Sequence, residues 1–166
     1  MTSAAYWKEK LQLTSHIEGG AFKETYRAPL VLPQDALTTE HKGDRAAATG
    51  IYFLLEYGEF SAFHRIASDE MWHFYDGVTL AIYEIKSDGT LIRHLLGTDL
   101  ESGALPQLVI HAGSWFASRV ETEGGFTLCG CTVAPGFDFA DFELANRDEL
   151  VNAYPQHSAL IASLTR

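Results

Sequence analysis

Gly58–Gly77, GEFSAFHRIASDEMWHFYDG, is the stretch that decides the fold. Phe60–Ile66 and Met71–Tyr75 are rich in aromatic and apolar residues and read as two strands. Side chains two apart on a strand share a face, so His64 and Ile66 point the same way. A turn through Ser68-Asp69 brings Glu70 back on the next strand toward the same interior, with Trp72 on its face and His73 on the opposite one. A base and a carboxylate therefore converge on one enclosed space.

The pattern continues outward in both directions. Ala47–Tyr57 reads as a strand, and Phe22–Ala28 alternates Phe22, Glu24, Tyr26 against Lys23, Thr25, Arg27. Pro29 to Arg45 is polar and reads as a long loop, uncommon unless it covers or binds something. Toward the C-terminus, Val78–Lys86 and Thr90–Leu96 are joined through Asp88-Gly89, a strong hairpin signal. Leu108–His111, Trp115–Val120 and Phe126–Ala134 follow. Helix is confined to the ends: about 3–13, where Trp7 and Leu11 stand at i, i+4, and about 146–164. There Asn146 and Glu149 form a capping-box pattern and Pro155 interrupts. The expected class is all-β, a sandwich or barrel over about 21–144, with short terminal helices and one domain over 1–166.

Composition narrows the partners. Twelve Lys+Arg against 22 Asp+Glu give a formal charge of −10. Such a surface repels phosphate backbones and anionic lipid, so neither nucleic acid nor membrane is an expected partner. Met1 to Lys10 carries three charged residues without an apolar leader core, and no stretch reads as a membrane span, which predicts a cytoplasmic protein. Cys129 and Cys131 share one strand face and are expected as reduced core residues. Gly-rich phosphate loops, G-x-S-x-G and H-E-x-x-H are absent.

The spacing of Gly58, His64, Ile66, Glu70 and Gly77 matches the first cupin motif, G-x5-H-x-H-x3-E-x6-G, with Ile66 in place of its second histidine. The second motif, P-x-G-x2-H, falls on His111–Phe116, with His111 for the proline and Phe116 for the histidine. With Glu18–Arg27, His64–Phe74, Ala112–Phe116 and Gly130–Leu144, the chain resembles the cupin superfamily and, within it, the DUF985 (Cupin 5) group of small RmlC-like proteins. The resemblance implies a double-stranded β-helix, the cupin jelly roll, paired as a homodimer. It implies no particular reaction. Metal-dependent cupins use three histidines and a glutamate. Here the matching positions are His64, Ile66, Glu70 and Phe116, short of a two-His, one-carboxylate set. No cofactor is expected; a divalent metal, if bound, would rest on His64 and Glu70.

The candidate site is therefore a small-molecule pocket. His64 is the expected general base, with Glu70 as its orienting group or as acid. Phe22, Glu24, Ile66, Trp72 and Phe116 are expected as walls, and His73 joins them only if a bulge turns it inward. Tyr26 is the candidate acid, because its strand is similar to the N-terminal strand of sugar-nucleotide 3,5-epimerases, metal-free cupins with a His base and a Tyr acid. The readings are a metal-independent isomerase or epimerase, a non-catalytic ligand-binding module, and a metal-dependent oxygenase with an incomplete ligand set. Phe137, Phe139 and Phe142 read as closing packing or a dimer contact, Arg27 as exposed or paired with a glutamate rather than as meeting an anionic ligand, and His16 as belonging to no constellation.

Overall fold

The computed structural model describes residues 2–166. Helix α1, Ala4–Leu11, starts where the Ser3 side chain accepts the Tyr6 N–H. Its Trp7 and Leu11, with Leu13 and Phe126, pack against Leu54 and Leu128. Strands are numbered in chain order. Six build one antiparallel sheet, in the order β1 (Thr14–Ser15), β2 (Ala21–Arg27), β5 (Thr49–Glu56), β12 (Phe126–Ala134), β7 (Asp69–Gly77) and β10 (Gln107–Ile110). Five build a second: β13 (Glu143–Leu144), β6 (Phe60–Arg65), β11 (Trp115–Val120), β8 (Leu80–Ile85) and β9 (Leu91–Leu96).

The core lies between the sheets. Phe53, Leu55, Trp72 and Cys129 of the first meet Leu80, Ile82 and Phe116 of the second. Each such large side chain contributes roughly 1.5–3 kcal/mol by leaving water. β8 is buried along its whole length because its other face is covered too. Ala81, Tyr83 and Ile85 pack beneath Leu150 of α2 (Arg147–Ala153) and Ile161 of α3 (Ser158–Ser163). Cys129 and Cys131 are buried free thiols. The Asn146 side chain accepts the Glu149 N–H at 3.2 Å and caps α2. Asn146→Ala removes that acceptor and is expected to cost about 1 kcal/mol. Chemical denaturation checks this, and an unchanged midpoint would mean that tertiary contacts alone hold α2.

The polar segment after β2 is more ordered than its composition suggests. It contains a two-stranded ribbon, β3 (Val31–Leu32) with β4 (Arg45–Ala46), and a single 3-10 turn at Gln34–Ala36. Two-residue strands leave no periodicity to read. What holds the segment is side-chain bonding. Arg45 grips Asp141 with two bonds of 2.6 Å, and the Lys42 N–H adds a third at 2.8 Å. His41 Nε2 lies 2.9 Å from Ser68 Oγ. The strap is thereby tied both to the β6–β7 turn and to the Phe139–Asp141 turn beside the site.

Candidate functional site

A cavity of about 200 Å³ opens between the sheets. β2 supplies Phe22, Glu24 and Arg27; β5, Thr49 and Ile51; β6 and the turn after it, His64 and Ile66; β7, Glu70; β12, Cys131 and Val133. His16 and Glu18 enter from the β1–β2 turn, and Phe137, Asp138 and Phe139 from the segment after β12.

Glycine positions the β1–β2 turn. Gly19 has φ +117°, and a Cβ there would lie 2.0 Å from the Phe60 carbonyl oxygen. Only a residue without a side chain permits that approach. The Ala62 N–H donates to the Glu18 carbonyl at 2.8 Å, which fastens the turn to β6. Glu18 is thereby set over His64: its Oε2 lies 3.0 Å from His64 Nε2. The other nitrogen, Nδ1, donates to the Ala62 carbonyl at 2.7 Å. Donation from both nitrogens is the property of an imidazolium. The His64 ring is flanked by Phe116 at 4.2 Å and Phe142 at 5.4 Å.

The electrostatics follow. Burial alone would depress the pKa of His64, but the charge and hydrogen bond of Glu18, with the Glu70 carboxyl nearby, raise it overall. Burial alone would raise Glu18; the His64 charge and hydrogen bond hold it below the usual carboxylate range. Glu70 has no such partner. Burial, reinforced by the Glu18 charge, pushes its carboxyl up to about 7, against the pull of His64. The Cys131 thiol beside it is held protonated by burial. One buried ion pair and one carboxyl balanced near neutrality thus share a cavity. At the rim, Arg27 forks onto Glu24 at 3.0 and 2.7 Å.

Of the residues expected from sequence, His64, Glu70, Phe22, Glu24 and Ile66 line this cavity. Glu18, rather than Glu70, holds His64. Tyr26 does not line it and is 54% exposed. A register shift against β5 between Glu24 and Tyr26 reverses the alternation, which brings Arg27 onto the face of Phe22 and Glu24 and turns Tyr26 outward. Trp72 and Phe116 face inward but lie deeper, fully buried and edge-on to each other at 6.4 Å, as core rather than cavity wall. His73 stays on the outer face, between Thr132 and Gln107, each at 3.0 Å.

Sequence reasoning missed Glu18, His16 and the aromatic roof. Glu18 directly precedes the paired glycines Gly19-Gly20, a signal for a forced turn beside a charged residue. The roof residues Phe137 and Phe139 read as ordinary packing because no periodicity marks a segment between strands.

The cupin metal positions do not fit an ion. Two carry Ile66 and Phe116, and both nitrogens of His64 are committed to Ala62 and Glu18. Among the described residues, no group of three or more His, Cys, Asp or Glu side chains is arranged to hold a metal.

Two facing antiparallel sheets, short helices at each end and a site between the sheets define a cupin-like protein. The chain belongs to the cupin superfamily family DUF985, whose model matches residues 5–145. An uncharacterised protein of Saccharomyces cerevisiae, YML079W, is 31% identical over 165 residues, covering 92% of this chain and 81% of the yeast protein. The crystal structure of protein SO0799 from Shewanella oneidensis is similar at 40% identity and TM-score 0.89, covering 100% of this chain and 99% of that one. A hypothetical protein from Leishmania major gives 33% identity and TM-score 0.91, with 99% of each chain covered. Among the described residues, no helix is long and apolar enough to cross a membrane.

Proposed function

We propose that this protein is a metal-independent proton-transfer enzyme, isomerase- or epimerase-like, acting on a small metabolite held between the sheets. One observation carries the reading: Glu70, a buried carboxyl with no hydrogen-bonded cationic partner, faces a ligand-sized cavity with its pKa near 7. General acid–base groups work best when their pKa lies near the working pH. His64 is the base expected from sequence, yet both its nitrogens are engaged, so Glu70 takes the proton-exchanging role. The His64–Glu18 pair sets the field around it. A cavity of about 200 Å³ is smaller than the roughly 300–1,000 Å³ of drug-sized sites, which favours a compact metabolite.

The same reading takes the two sheets as the closed jelly roll of the family, residues 1–166 as one domain, the assembly as a homodimer and the location as cytoplasmic. The jelly roll and the single domain are supported by the family match over residues 5–145 and the likeness to the Shewanella structure over the whole chain, whereas the homodimer and the location rest on the sequence reading alone.

The experiment is incubation with metabolite extract in D2O. The expected result is a metabolite that gains one deuterium at carbon with the wild-type protein and none with Glu70→Gln. Saturable binding without any deuterium gain would favour a non-catalytic binding module instead.

A further inference from the structure

His16 lies outside every motif, yet it is placed as a ligand-directed donor. Its side chain is 7% exposed, seated edge-on against Phe22 at 4.5 Å and facing Phe139 at 6.1 Å. The Glu18 backbone N–H donates to its Nδ1 at 3.2 Å. Accepting there leaves the proton of the neutral ring on Nε2. That Nε2 has no hydrogen-bond partner among the described residues and is not enclosed by protein, and His16 lines the cavity. A donor left free at the wall of a mostly apolar cavity is one of the few polar groups there that can fix a ligand's orientation, so a ligand acceptor suits it. Burial also depresses the pKa of His16, which keeps it neutral, and a neutral imidazole N–H is a group that polarises carbonyls in enolising enzymes.

The cavity's charge restricts what that acceptor belongs to. Glu18, Glu24, Glu70 and Asp138 stand against only His64 and Arg27, and those two cations already bond Glu18 and Glu24. A phosphate or carboxylate would enter against excess negative charge. Apolar walls of Phe22, Ile51 and Ile66 suit a neutral carbon skeleton.

We infer that the substrate is a small uncharged carbonyl compound, with His16 Nε2–H donating to its carbonyl oxygen while Glu70 takes a proton from the adjacent carbon. This rests on the proton-transfer reading above. In the step, the C–H bond breaks and its proton goes to the Glu70 carboxylate. The bonding pair moves into the new C=C bond, and the carbonyl π pair moves onto oxygen, where His16 stabilises it. Return of the proton to carbon from Glu70, after exchange with water, restores the carbonyl. No oxidant or co-reactant is needed.

The test measures α-deuteration in D2O, above the protein-free rate, with dihydroxyacetone and hydroxyacetone as uncharged probes and pyruvate and dihydroxyacetone phosphate as anionic ones. Binding is followed in parallel by saturation-transfer NMR. Wild-type protein is expected to bind and deuterate the uncharged probes in preference. His16→Phe, which keeps the aromatic packing, is expected to lose about 10²–10³-fold in rate, and His16→Gln, which keeps a donor, to retain much of it. Wild-type exchange with His16→Phe unimpaired, or preference for the anionic probes, would overturn this inference and leave the proton-transfer reading standing. Binding of the uncharged probes with no exchange would overturn both. Failure to bind any uncharged probe would overturn the substrate class.

Discussion

Replacing His64 alone by leucine is expected to destabilise the protein by about 3–5 kcal/mol, because it strands the Glu18 carboxylate in a buried site. The same holds for Glu18→Leu, which leaves the imidazolium without its counter-charge. The double replacement is expected to cost less than the sum of the two, since no buried charge is left unpaired. Denaturant unfolding of the four proteins measures the coupling. The pH dependence has a defined sign. Glu18 sits below its ordinary 4.5, so its contribution is present above that pH and is lost as pH falls through the depressed value. His64 sits above its ordinary 6.5, so its contribution is present below that pH and is lost as pH rises through the raised value. The pair is therefore fully effective between about 4.5 and 6.5. Single replacements that cost under about 1 kcal/mol would show that water, not Glu18, solvates His64.

Glu70→Gln is expected to separate stability from chemistry. The carboxyl is pushed from 4.5 up to about 7, so the folded protein resists its ionisation. At pH values below 4.5 the group is protonated in both folded and unfolded chains and has no effect. As pH rises from 4.5 through 7 the wild-type protein loses stability, by about 3 kcal/mol on the 1.36 kcal/mol-per-unit scale. The glutamine variant carries no charge to bury. It should be more stable than wild type at pH 8 by an amount of that order, with the two curves converging near pH 4.5. Proton transfer to a ligand should fall by about 10²–10⁴-fold in the same variant. Equal stability of the two proteins at pH 8 would mean that Glu70 ionises freely, with water reaching it. Loss of exchange activity together with a gain in stability is the pattern of a site held away from its stability optimum.

These effects were only partly legible beforehand. The alternation around Gly58–Gly77 placed His64, Ile66 and Glu70 on one interior, because strand parity is a local property that survives into the fold. The apolar stretch at β8 announced a strand but not that both its faces are covered, which depends on the C-terminal helices returning over it. Tyr26 shows where parity stops. One bulged residue at Thr25 exchanges Tyr26 for Arg27 on the cavity face, and nothing in the composition of Phe22–Arg27 marks it. Trp72 and Phe116 had the right face and the wrong depth, since alternation says which side of a sheet a residue takes but not how far along the interior the space extends. Glu18 was the most consequential omission. Its place over His64 depends on a non-local contact, the close approach of Gly19 to Phe60, which no spacing within either strand encodes.

The role of Glu70 is tested most directly by carbon-detected NMR of the glutamate side-chain carboxyls, followed from pH 3 to pH 9 in the wild-type protein and in Glu70→Gln. One resonance that titrates near pH 7 in the wild type and is missing from the variant is the predicted result. A wild-type spectrum in which every glutamate carboxyl has titrated by pH 5 would contradict it.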